Sequence, residues 1–293
     1  MQAWLLYAII AYTFYAFANV SVKYVRTRNV KSIIGYLSSI SILGLLPLLY
    51  TFIRPITFPS IQYVFLGIGA SWLLLIYVVP FLKAIEFEEV SRVVPLWFFA
   101  PIVVVLLETI FGAPLAQTQL LAFFLLIIGG ILISTKDLRT FTFSKALPLM
   151  ILSSVLMGVY LFLIDTLYAH VSPYDGYMIT RIGVGSFIVV VLLIPSLRRQ
   201  LFSFFKEDPH AARFSLLTEF IALFGTMFLF FALAGGVASI VAALMGVQVG
   251  LLFLFMILFS IFFPKIMKED LSAKTLIIKA IALAIMIYAI WIL

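Results

Sequence analysis

Ten runs of roughly 17–25 mostly apolar residues follow one another along this chain, each long enough to cross the hydrocarbon core of a bilayer as a helix. They occupy 2–22, 33–53, 61–82, 91–110, 118–134, 146–169, 176–195, 214–234, 237–263 and 273–293. Inside lipid the backbone has no water to bond, so each run must satisfy its own N–H and C=O groups. A barrel would need short alternating strands, whereas these runs are long and continuous. The expected fold is an all-α polytopic membrane protein with ten transmembrane helices. Composition agrees, since 65% of the 293 residues are hydrophobic and only 11% charged, where a soluble domain carries about a quarter.

A second feature divides the chain. Residues 84–107, AIEFEEVSRVVPLWFFAPIVVVLL, recur in altered form at 232–255, ALAGGVASIVAALMGVQVGLLFLF. Laid together without a gap, Ala84 meets Ala232 and Ser91 meets Ser239. Each copy is preceded by an apolar run, holds a small or polar break, and leads through a loop into a closing run. Such a long period suggests a duplicated membrane module. The expected units are 1–135 and 146–293, joined by the polar linker 136–145. Five helices per unit is an odd number, so the two units are expected to be inverted repeats.

Charge gives the orientation. When the runs alternate sides, all of the 19 Lys and Arg except Arg54 and Arg181 fall on one side. Basic loops stay cytoplasmic, which implies a plasma-membrane protein with both termini outside. The segment 196–213, SLRRQLFSFFKEDPHAAR, mixes Phe with basic residues and is expected to lie on anionic headgroups. The net charge of +7 is not spread like a nucleic-acid footprint. The chain has no cysteine, which excludes disulfides, thiolate metal sites and cysteine nucleophiles. The first run lacks a signal-peptide pattern and is read as a retained helix.

The resemblance to a known family rests on three features. The stretch Tyr15-Ala16-Phe17-Ala18-Asn19-Val20-Ser21-Val22-Lys23 is similar to a W-x-x-x-N-x-x-x-K-like run in the first helix. The links from Ala84 to Ser91 and from Ala232 to Ser239 form the second. The third is a G-E-x-L-S-like turn before the last helix of each unit, here Lys268-Glu269-Asp270-Leu271-Ser272, with Gly112-Ala113-Pro114-Leu115-Ala116 in the first unit. In these the chain resembles the ten-helix, EamA-type members of the drug/metabolite transporter superfamily. The resemblance implies a secondary transporter, often an exporter, with a central cavity between the first four helices of each unit. The fifth and tenth helices would stand outside that cavity as supports.

A charge at bilayer depth needs a reason. Arg181, inside 176–195, reads either as a fork for a substrate carboxylate or phosphate, or as the partner of Asp165 or Asp175; a pair with Asp165 would act as a gate. Glu219, inside 214–234, reads as a proton or cation site or as a partner for Arg213. Glu86, Glu88 and Glu89, between Lys83 and Arg92, read as a solvated salt-bridge cluster or, in Glu86 and Glu89, as a cytoplasmic gate. Glu108, near the outer end of its run, is expected to snorkel. Pro95 and Pro101 in one fourth run, and Gly246 and Gly250 in the other, loosen the helical ladder and free carbonyls for a cavity.

Asn19 and Gln248 are polar amides at depth, suited to a substrate hydrogen bond or to a tie between helices. Tyr15, Trp72, Trp97 and Tyr160 are the mid-run aromatics expected around a cavity, with plain packing as the other reading. His170 and His210 stand apart, so no metal cluster is expected, and no G-x-x-x-x-G-K-[ST] occurs for ATP. The expectation is a transporter, not an enzyme, without cofactor. It would export or exchange a small organic metabolite such as an amino acid by alternating access. Its expected partners are the lipid bilayer and protons, with no nucleic acid, in a monomer or weak homodimer. A flippase for a lipid-linked phosphate and a polytopic membrane enzyme are the alternatives.

Overall fold

Every regular element among the described residues is helical, as a lipid solvent demands. The computed structural model describes residues 3–26, 32–87, 93–111, 115–134, 146–207, 209–262 and 273–292. The linker 136–145, the turn 268–272 and Glu88, Glu89, Ser91 and Arg92 lie outside the described residues.

The helices are α1 (Ala3–Arg26), α2 (Ile33–Gly44), α3 (Ile61–Ala84), α4 (Phe99–Ile110), α5 (Gln117–Ser134), α6 (Ala146–Tyr168), α7 (Pro173–Leu193), α8 (Pro195–Glu207), α9 (Pro209–Leu233), α10 (Ala238–Ala243), α11 (Met245–Phe262) and α12 (Ala273–Trp291). Two 3₁₀ segments, Leu46–Phe52 and Val94–Phe98, precede α3 and α4. Among the described residues, six stretches are long and apolar enough to cross a membrane: Ala3–Val20, Ile33–Phe52, Ile61–Ala84, Ala146–Tyr168, Pro173–Leu193 and Pro209–Leu233. The remaining apolar helices are shorter. Large apolar side chains cover the outside, Ile110 and Phe111 being 72% and 71% exposed, which suits lipid and would be a liability in water. The chain is a multi-pass, all-α membrane protein.

Three runs that look continuous in the sequence are broken. The run 33–53 is α-helical only to Gly44 and continues as a 3₁₀ segment with Pro47 in its first turn; proline cannot donate and crowds the preceding turn. The run 91–110 likewise opens as a 3₁₀ segment containing Pro95 and becomes α-helical at Phe99, with Pro101 buried in the first turn. The run 237–263 divides at Leu244. Under the 84/232 alignment Leu244 matches Leu96, so both copies break at the same place. The segment 196–213 also differs from expectation. It is a helix only to Glu207, and residues from Pro209 onward already belong to the long helix α9.

The principal packing pairs are related. Helix α1 lies along α9 as α3 lies along α6, α4 packs on α6 as α11 packs on α1, and α3 meets α7 as α2 meets α9. Helix α2 meets α7, and α5 meets α12. Exchanging the first five segments for the last five returns these principal pairs, while some other pairs, among them α5 with α10 and α11, have no counterpart. Small residues permit these approaches. A Cβ on Gly158 would fall 2.8 Å from the carbonyl oxygen of Ala100, and one on Gly225 would fall 3.2 Å from that of Ala11.

Candidate functional site

A cavity of about 140 Å³ lies among α1, α2, α3, α6, α7, α9, α11 and the 3₁₀ segment Val94–Phe98. None of its described lining residues comes from α5, α8 or α12. Seven residues singled out in the sequence meet here: Tyr15, Asn19, Trp97, Tyr160, Arg181, Glu219 and Gln248. They come from six separate segments, so the packing of the helices, and no local motif, builds the site.

Arg181 is the most telling of them. It sits eight residues into α7, about 12 Å along the helix axis at 1.5 Å per residue, and is only 3% exposed. Its Nε and Nη2 are buried with no hydrogen-bond partner among the described residues. Neither acid suggested by the sequence reaches it. Asp175 is engaged at the start of α7, where Oδ1 accepts from the Thr57 amide at 2.9 Å and Oδ2 from the Ser172 hydroxyl at 2.6 Å. Asp165 stands near Glu108 instead. The guanidinium rests against aromatic rings, 5.0 Å from the centre of Tyr177 and 5.4 Å from that of Phe230. Aromatic faces attract a cation, but they accept none of its directed N–H bonds.

Tyrosines wall the space between Arg181 and Glu219. Tyr15 and Tyr77 both feel the charges of these two residues, and the Tyr77 ring lies 5.8 Å from that of Tyr160. Two rings are held by hydroxyl bonds. Tyr12 donates to the Val241 carbonyl at 2.7 Å and Tyr15 to Thr226 Oγ1 at 3.1 Å. Trp97 is fixed by donating through Nε1 to Ser153 Oγ at 3.1 Å, and Ser153 donates onward to the Tyr77 carbonyl at 2.8 Å. The Asn19 amide nitrogen, the Tyr160 hydroxyl and the Thr218 hydroxyl are buried with no partner among the described residues, and all three residues line the cavity.

The two ends differ. Toward the end where α1 finishes and α2 begins, the Tyr36 hydroxyl stands beside the Glu219 carboxylate. Because α9 starts at Pro209, Glu219 lies ten residues into a spanning helix, deeper than the sequence suggests. Beyond Arg181 a group of contacts joins the chain before α3 to the start of α7. The Thr57 amide holds Asp175, the Tyr174 hydroxyl donates to the Arg54 carbonyl, and the Arg54 guanidinium lies 4.2 Å from the centre of the Tyr174 ring.

Other candidates lie elsewhere. Trp72 donates to Ser186 Oγ at 3.0 Å and packs on Phe187, joining α3 to α7 outside the cavity lining. Glu86 is exposed just past α3, and Glu89 is outside the described residues. Gly246 and Gly250 are buried in α11. Glu108 does not snorkel. It is 5% exposed, and its Oε1 accepts from the Ser239 amide at 3.1 Å at the start of α10. The sequence reading missed Tyr12, Tyr36, Tyr77, Thr218 and Thr226. A hydroxyl-bearing ring deep in an apolar run needs a polar partner, and that signal could have marked the tyrosines.

No protein-family model matches the sequence, and no curated protein matches it. The chain is similar in fold to a solved structure described only as "Crystal structure of protein", with a TM-score of 0.65 over 99% of this chain and 95% of that one. At 13% identity the likeness concerns fold alone.

Proposed function

We propose that this chain is a secondary active transporter for a small organic metabolite bearing both an anionic and a cationic group, such as an amino acid. The observation that carries this reading is Arg181, a buried guanidinium facing a cavity, with two nitrogens that have no hydrogen-bond partner among the described residues. A buried donor without a partner costs roughly 1–3 kcal/mol, and a charged one more. A carboxylate seated on the fork recovers that cost. Glu219 supplies the opposite charge, so the lining as a whole complements a molecule that is neutral overall. Tyr15, Tyr77, Tyr160 and Trp97 provide faces for its apolar part, and Asn19 and Gln248 provide amide hydrogen bonds.

The transport mechanism in this reading is alternating access between two inverted five-helix repeats, in a ten-span member of the drug/metabolite transporter superfamily. Three observations support it. The principal packing pairs interchange when the halves are exchanged, both fourth segments break at matching positions, and the cavity draws on the first four segments of each half. The ties among Thr57, Asp175, Tyr174 and Arg54 favour a state closed on the side poor in Lys and Arg. Glu219 would be occupied in turn by the substrate's ammonium group and by a proton, coupling export to proton entry.

The test is thermal stabilisation of purified, full-length protein by three matched ligand sets: amino acids, their decarboxylated amines and their deaminated acids. A ligand at a hundred times its Kd stabilises by about 2.7 kcal/mol. The amino acids should raise the melting temperature of the wild type and lose that effect with Arg181→Met. A shift that survives Arg181→Met, or no shift from any set, would sink the reading.

A further inference from the structure

Helix α8, PSLRRQLFSFFKE, has two faces with different chemistry. Leu201 and Phe204 are buried, and Phe204 packs with Ala211 and Ala212 at the start of α9. Phe202, by contrast, is 61% exposed. At about 100° per residue, Arg198, Arg199 and Lys206 all fall within about 60° of Phe202 around the helix, and all three are exposed. The helix's acid, Glu207, falls about 140° away from Phe202. An aromatic ring thus stands at the centre of a patch of three cations. The helix joins the ends of α7 and α9 and packs on α2, so it sits where spanning helices leave the hydrocarbon.

We propose that this face of α8 docks anionic lipid headgroups. Phe202 enters the boundary between headgroups and acyl chains, and Arg198, Arg199 and Lys206 hold lipid phosphates around it. Charge selects an anionic surface. The exposed ring selects one with an apolar layer beneath it, which a soluble acidic partner does not offer. The seat also bears on the cavity. On the other face of α8, Phe204 lies so close to Gly35 of α2 that a Cβ there would fall 2.3 Å from its ring. The next residue, Tyr36, stands beside Glu219. Headgroups bound to α8 therefore brace the helix that lines one end of the cavity. This inference does not rest on the transport reading.

The absence of native cysteine allows a single Phe202→Cys substitution to carry an environment-sensitive NBD fluorophore. The labelled full-length protein is reconstituted in vesicles of phosphatidylcholine alone, or of phosphatidylcholine mixed with phosphatidylglycerol. The expected result is a blue-shifted, brighter emission in the mixed vesicles. The shift should be lost on raising salt, which screens surface charge, and in the variant that adds R198Q, R199Q and K206Q. Equal emission in the two vesicle types would leave the face to a protein partner and overturn the proposal. A shift retained by the triple variant overturns it too. Should that variant fail to reconstitute, persistence of the wild-type shift at high salt does so on its own.

Discussion

Tyr12 donates its hydroxyl proton to the carbonyl oxygen of Val241, 2.7 Å away in space and 229 positions along the chain. The bond ties the first helix to the end of α10, just before the break at Leu244. Ser154 does the equivalent service at the other broken segment, donating to the Leu96 carbonyl at 2.9 Å. Where a helix breaks in lipid, side-chain donors help to satisfy the carbonyls around the break; the Leu96 carbonyl also accepts from the Phe99 amide.

Tyr12→Phe keeps the ring and removes that donor. The expected loss is about 1 kcal/mol, read as a fall of roughly 2–4 °C in melting temperature for a chain of this size. An unchanged melting temperature would mean that the Val241 carbonyl needs no side-chain partner.

Arg181→Met should act in opposite directions on stability and binding. Removing a buried charge, two of whose nitrogens lack a partner among the described residues, while keeping apolar bulk is expected to stabilise the ligand-free protein by about 1–4 kcal/mol. Ligand-induced stabilisation should disappear. A destabilised variant would show that Arg181 holds the helices together and is not kept for a ligand.

Glu219→Gln retains the size of the side chain and removes its charge. With the amino acid and deaminated-acid pairs, the expected outcome is weaker binding of the amino acid and binding of the acid at least as tight. Calorimetric titration of both sets against both proteins decides it. Equal losses for the two ligands would argue that Glu219 supports Tyr36 and does not face the substrate.

Gly35→Ala should destabilise by about 1–3 kcal/mol through overpacking, because the new Cβ would press into the Phe204 ring. Adding Phe204→Leu should recover part of the loss. A double-mutant cycle on melting temperature measures the coupling, and simple additivity would exclude direct contact between α2 and α8.

Glu108→Ala removes the carboxylate that accepts from the Ser239 amide where α10 begins. Loss of a cap of this kind costs about 0.5–2 kcal/mol. Glu108→Gln, which keeps an acceptor oxygen, should lose less, and equal melting temperatures for the two variants would remove the capping role.

The sequence by itself determined the all-helical character and the bounds of most of the six long spans. Hydrophobic length and backbone self-satisfaction act locally, so they are written into consecutive residues. It also marked Arg181, Glu219, Asn19 and Gln248, because a polar group in an apolar run is conspicuous wherever the helix ends up. It could not reveal that two Arg181 nitrogens have no hydrogen-bond partner among the described residues, that Asp165 stands near Glu108, that Trp72 serves Ser186, or that Tyr12 and Tyr77 join the cavity wall. Those outcomes depend on how far each helix is rotated and on which neighbour it meets. In lipid, where apolar faces resemble one another, small residues such as Gly158 and Gly225 and a few long-range hydroxyl bonds decide that packing.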